Sequence, residues 1–114
     1  MVRVVVMVIM VAVQGCKAAG SEQPDGQALF GSACARCHAA DGTGGIAEPG
    51  RTPPRDLSAG SWQTSVTDEH IRRVILEGTG GMPPFKDVLQ SPQVTAVVQH
   101  VRTLRRTSAQ PVGE

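Results

Sequence analysis

Cys34-Ala35-Arg36-Cys37-His38 is the stretch on which the reading of this chain turns. Two thiols stand three residues apart, and an imidazole follows the second directly. On one turn of helix the two sulfurs project to the same side. The histidine comes next, where the chain turns beneath whatever the sulfurs hold. Ahead of it, Gly26 to Ser32 is a short helical pattern with Leu29 and Phe30 on its apolar side, and Pro24 or Asp25 can start it. The chain has 114 residues, enough for one domain. It contains no Tyr, one Trp and two Phe, so its own side chains make a thin core. Thirteen glycines and eight prolines predict few helices and long ordered loops.

Three chemistries use such a thiol pair. A structural zinc site needs two more ligands, and the folded part has no further Cys. A redox dithiol does not need the adjoining His. The third, c-type haem attachment, uses every position of the pattern. Each thiol adds to a haem vinyl group, and His38 Nε2 binds iron as the proximal ligand. A single covalent haem c also answers the thin core, because most of a buried porphyrin is apolar surface. The charge is nearly balanced at +1. Nothing resembles the basic stripe of a nucleic-acid footprint, so nucleic acid is excluded as a partner.

The third cysteine, Cys16, closes an apolar leader. Val4 to Val13 is ten apolar residues after Arg3, half of the roughly 20 that a spanning helix needs, and reads as the h-region of a secretory signal. Val13-Gln14-Gly15-Cys16 resembles the lipobox of bacterial lipoproteins, although Gln14 departs from the small or apolar residue usual there. That resemblance implies cleavage before Cys16, lipidation of its sulfur, and a protein anchored on the periplasmic side of a bacterial membrane. An ordinary secretory signal or an uncleaved anchor are the other readings. The expected organisation is a signal peptide over 1–15, a flexible tether over 16–24, a folded domain over 25–107 and a disordered tail over 108–114. Losing Arg3 with the leader takes the eleven basic residues to ten, equal to the ten acidic ones.

Gly26-Gln27-Ala28-Leu29-Phe30, the Cys34–His38 stretch and Asp41-Gly42-Thr43-Gly44 together resemble class I cytochromes c of bacterial electron-transfer chains. The likeness runs from about Gly26 to Leu104. It implies an all-α fold of three to four helices around one haem. It implies that Gly26 lets the C-terminal helix cross closely, and that the loop from Asp41 to Gly50 wraps below the haem. The usual Gly after the ligand His is Ala39 here. It also implies that a carbonyl of the stiff stretch Arg51-Thr52-Pro53-Pro54-Arg55-Asp56-Leu57 accepts the Nδ1–H of His38; Pro54 is the candidate. Leu57 is expected to pack on the haem. Arg55 and Trp62 are candidate partners of a haem propionate, with a solvated Arg and a packing Trp as the alternatives.

Thr67-Asp68-Glu69-His70 reads as an N-cap and acidic first turn. Ile71, Val74 and Ile75 follow at helical spacing, and Gly78 stands at the C-cap position. His70 is expected to be exposed. Met82 is the only Met beyond the leader and sits in Gly80-Gly81-Met82-Pro83-Pro84-Phe85, between permissive glycines and rigid prolines. This resembles the axial-ligand loop of class I cytochromes c and assigns the Met82 sulfur as distal ligand. The alternative is a loop Met beside a five-coordinate haem. Phe85 either shields the haem edge or packs. Ser91-Pro92 reads as N-cap and first helical residue, followed by Val94, Val97, Val98, Val101 and Leu104 as one apolar stripe. His100 takes the place of the family's aromatic partner for the helix-crossing Gly. Arg102, Arg105 and Arg106 form a basic end, either solvated or docking an acidic partner or lipid headgroups. The expected function is single-electron transfer by a monomer between membrane-bound or periplasmic redox proteins. The rivals are a dedicated subunit of a larger oxidoreductase and a sensing or peroxidase-like haem domain.

Overall fold

The computed structural model describes residues 22–45 and 49–107. The leader, Cys16, most of the tether and the tail over 108–114 lie outside the described residues. The described residues fold into five helices: α1 (Gly26–Ala33), α2 (Ala35–His38), α3 (Gly60–Ser65), α4 (Asp68–Glu77) and α5 (Ser91–Thr103). The all-α expectation holds. Two helices are short; α3, which opens on a glycine and lacks an apolar period, is the one that periodicity does not reveal.

Each longer helix starts on a cap. Asp25 accepts the Ala28 N–H through its side chain at 3.1 Å. Thr67 accepts the His70 N–H at 3.0 Å. At α5 the expected cap is corrected by one residue. Ser91 is already helical, Pro92 stands second, and Gln90 is the N-cap. The Gln93 side chain reaches back to the Gln90 N–H at 2.8 Å, which satisfies a donor that a serine cap would have left free. Gly78 ends α4 at φ +72°, a conformation that favours glycine.

The buried core consists of Phe30 from α1, Ile71 and Ile75 from α4, Leu89, and Val94, Val97, Val98 and Val101 from α5. Valine lowers helix propensity by about 0.5 kcal/mol per residue. Full burial of each returns roughly 1.5 kcal/mol or more, so packing decides that α5 is helical. α1 and α5 cross where Gly26 has no side chain: a Cβ there would stand 2.1 Å from the Ala96 carbonyl oxygen. One turn further on, the Phe30 and His100 rings lie 5.1 Å apart at 51°. His100 thus fills the aromatic partner's place. Arg72 donates to the Thr95 hydroxyl and joins α4 to α5.

The basic end of α5 is not a free patch. Arg102 donates to Asp68 Oδ1 at 2.7 Å, to the Gln63 and Val66 carbonyls at 2.7 and 2.8 Å, and to Gln63 Oε1 at 3.1 Å. Arg106 donates to Asp56 Oδ2 at 2.8 Å. Both the solvated and the docking reading of Arg102 give way to this, because its carbonyl partners come from a turn distant in sequence.

Candidate cofactor site

Cys34 ends α1 and starts α2. Its N–H bonds the Phe30 carbonyl at 2.9 Å, and its own carbonyl accepts the N–H groups of Cys37 (3.1 Å) and His38 (2.9 Å). This single turn places positions 34, 37 and 38 on one face, since residues three and four apart are neighbours on a helix. Both thiols are free of disulfide; Cys34 is half-buried and Cys37 exposed. Burial pushes the Cys34 thiol above its ordinary pKa, and the neighbouring Cys37 adds to the shift.

The His38 ring is held by one hydrogen bond, Nδ1 to the Arg55 carbonyl at 3.0 Å. A carbonyl can only accept, so Nδ1 carries a proton, and in the neutral ring Nε2 is then the nitrogen with the lone pair. That is the tautomer a metal-binding imidazole needs. The accepting carbonyl belongs to Arg55 and not to Pro54. Two prolines set φ but do not determine which successive carbonyl faces the ring. The Pro54 carbonyl faces Gly44 instead, 3.1 Å from where a Cβ would stand. The loop below the ring folds back on α2: Gly44 N–H donates to the His38 carbonyl at 2.9 Å and Gly45 N–H to the Cys37 carbonyl at 2.7 Å.

Between them Ala39 adopts φ +63°, ψ +158°, a region that is essentially glycine's and costs another residue about 1–3 kcal/mol. The departure from the family's glycine is therefore strained. Ala39→Gly is expected to stabilise the domain by about 1 kcal/mol after the extra chain entropy of glycine is subtracted; urea unfolding measures it, and a loss of stability would contradict the strain.

Met82 sits in a loop strapped to its own helix. Thr79 and Met82 exchange backbone hydrogen bonds at 3.1 and 2.9 Å, Phe85 N–H reaches the Ile75 carbonyl at 2.9 Å, and Lys86 N–H reaches that of Leu76 at 3.2 Å. The Met82 side chain is half-buried and packs against the core, as do Phe85, Leu57 and Trp62. The Arg55 side chain is exposed; its main chain is the part in contact with His38. His70 is half-buried, not exposed, and its Nδ1 lies 3.3 Å from Arg73 Nη2.

These features fit a covalently held haem. Two free thiols share a face with an imidazole in the correct tautomer, and apolar side chains around a small core are only half covered. Among the described residues no group of three His, Cys, Asp or Glu side chains converges to hold a metal ion. Sequence reasoning missed Gln63, which is 5% exposed. It donates to the Leu57 and Val101 carbonyls, both at 2.8 Å. A polar residue on a short helix without an apolar period left no signal in the sequence.

Among the described residues no helix is long and apolar enough to cross a membrane. Residues 21–101 match the family model described as cytochrome c oxidase, cbb3-type, subunit III. The chain is similar to a solved structure described as KustC0563 c-type cytochrome, with 33% identity and a TM-score of 0.61, over 72% of this chain and 99% of that one. No curated protein matches it.

Proposed function

The chain belongs to the cytochrome c oxidase, cbb3-type, subunit III family, and from that premise we propose that it is a mono-haem c-type cytochrome that passes single electrons between redox proteins on the periplasmic side of a membrane. A bound haem c supplies a one-electron iron couple. Cys34 and Cys37 hold the macrocycle by thioether bonds. His38 presents Nε2 to the iron while the Arg55 carbonyl orients its ring. Met82 would supply a second, soft thioether ligand, which would favour ferrous iron and raise the reduction potential. With both His38 and Met82 as ligands, the iron would have no position left for a substrate, which suits electron transfer rather than catalysis. Leu57, Trp62 and Phe85, half-buried against the core, would lie against the porphyrin, and the exposed Arg55 side chain would be free to pair with a propionate.

The observation that carries this reading is the α2 turn, with His38 held by Arg55 at 3.0 Å. Acid–acetone treatment of the purified protein tests it. The pigment is expected to stay with the polypeptide, mass analysis to show one added macrocycle, and the ferric spectrum to be low-spin with the long-wavelength band of a Met–iron bond. Extractable pigment, or a high-spin ferric spectrum at neutral pH, would sink it.

A second reading is favoured by the family's description, which names a subunit of an oxidase. In it the chain is a dedicated haem subunit of a larger complex. Stable co-purification with an oxidoreductase after mild detergent extraction separates this from a free carrier. Anchoring rests on Cys16. Cys16→Ser is expected to move the protein from the membrane to the soluble fraction, because two or more acyl chains are what hold such a protein on a bilayer; an unchanged membrane fraction would refute the lipobox.

A further inference from the structure

The carbonyl that orients His38 lies in a segment held by the far end of the chain. Arg55 is followed by Asp56, Leu57 and Ser58, and each is tied. Asp56 Oδ1 accepts the Ser58 N–H at 2.9 Å and its hydroxyl at 2.6 Å, while Oδ2 accepts Arg106 Nη2 at 2.8 Å. The Arg106 N–H donates to the Ser58 carbonyl at 2.9 Å. Ser58 is fully buried. Leu57 N–H donates to the Gly42 carbonyl at 2.6 Å, and its carbonyl accepts from Gln63 Nε2 at 2.8 Å. Gln63 spends its second proton on Val101 of α5 at 2.8 Å, and its Oε1 accepts from Arg102 at 3.1 Å. Every polar atom of that buried amide has a partner, which gives it one orientation. The segment is therefore gripped twice by α5 and the residues just after it, and none of these hydrogen bonds involves His38.

We infer that Gln63 and Arg106 are positioning residues for His38, acting through the segment 55–58 to hold the Arg55 carbonyl on Nδ1–H. This rests on the reading of His38 as an iron ligand. Its consequence has a definite sign. A carbonyl on Nδ1–H raises the basicity of the imidazole and favours ferric iron. Loosening the grip weakens that bond and raises the midpoint potential. For Arg106 the direct electrostatic effect has the opposite sign, because removing a nearby positive charge favours ferric iron and lowers the potential. In Arg106→Ala the two contributions oppose each other in the potential, and the exchange rate of the Nδ1 proton, which only the loosened grip changes, separates them.

The test uses the full-length, haem-loaded protein with three variants. Gln63→Met keeps length and removes both amide donors. Arg106→Ala removes the tie to Asp56. Arg105→Ala removes an adjacent charge that makes no hydrogen bond to the segment. Two quantities are read in each: the midpoint potential, and the exchange rate of the His38 Nδ1 proton in the reduced protein by nitrogen-labelled NMR. Gln63→Met and Arg106→Ala are each expected to raise the potential and to speed exchange about fivefold, the factor for losing one ordinary hydrogen bond. Arg105→Ala, which removes only a charge, is expected to lower the potential and to leave exchange at the wild-type rate. If Arg106→Ala lowers the potential as Arg105→Ala does and exchange stays at the wild-type rate, the inference is overturned. Should Gln63→Met fail to fold, the exposed Arg106 variant decides alone. The wild type checks the underlying reading first: His38 ring resonances without the large upfield shift of a porphyrin-bound imidazole would remove the ligand assignment and the inference together. With that shift present, flat variants defeat only the inference.

Discussion

Met82→Ala is expected to lower the midpoint potential by on the order of 0.1 V, part of the roughly 0.8 V over which axial ligands set haem potentials, and to turn the ferric spectrum high-spin at neutral pH. In the proposed ligand set a soft, neutral thioether would stabilise the ferrous state, and its removal would leave His38 as the ligand that this chain supplies. The substitution should perturb the fold less than the iron. The loop is held by main-chain bonds from Thr79, Phe85 and Lys86, and none of them uses the Met82 side chain. An unchanged potential would mean that another residue binds the iron. The other two imidazoles offer poor substitutes. His100 packs on Phe30, and His70 lies beside Arg73.

Gly26→Ala is expected to destabilise the domain by about 3 kcal/mol or more, at or beyond the upper end of ordinary overpacking. The added methyl would sit 2.1 Å from the Ala96 carbonyl oxygen, 2.7 Å from its carbon and 3.2 Å from His100 Cβ. The first two are main-chain atoms of a helix and cannot swing aside, so α1 and α5 must separate, and the Phe30–His100 contact with them. A loss of that size corresponds to a melting temperature lower by about 12 °C or more for a domain this small. Gly31 on the same helix is the control. Nothing lies within 4 Å of its Cβ position, so Gly31→Ala should stabilise by about 0.5–1 kcal/mol through helix propensity alone. Equal effects at the two glycines would show that the crossing is not as close as described.

Features written in adjacent residues were legible in advance. The cap at Thr67 came through because a side chain and the amide it accepts are three residues apart; at α1 a start at Pro24 or Asp25 was legible, and Asp25 proves to be the cap. The valine stripe of α5 came through because burial repeats with the helical period. The cap of α5 was misplaced by one residue because Gln93 closes a box with Gln90, which outweighs the preference for a serine. The loop carbonyl was also misplaced by one residue, since the prolines constrain φ without aiming either oxygen. Arg102 was misread more seriously. In the sequence it is one of three arginines at a helix end; in the structure it is encased by Gln63, Val66 and Asp68, which lie more than thirty residues earlier.

By itself the sequence carried the pattern from which the covalent chemistry is proposed: two thiols three residues apart, the imidazole that follows them, and a methionine in a loop between glycines and prolines. Those properties depend on residue type and on spacing within one turn or one loop. Only the tertiary structure decided which carbonyl steers the His38 ring, that Ala39 is strained, and that Gln63 joins the segment carrying Leu57 to α5. Each of these depends on where distant main-chain oxygens come to rest, and that follows from how α1, α4 and α5 pack, not from any short run of residues.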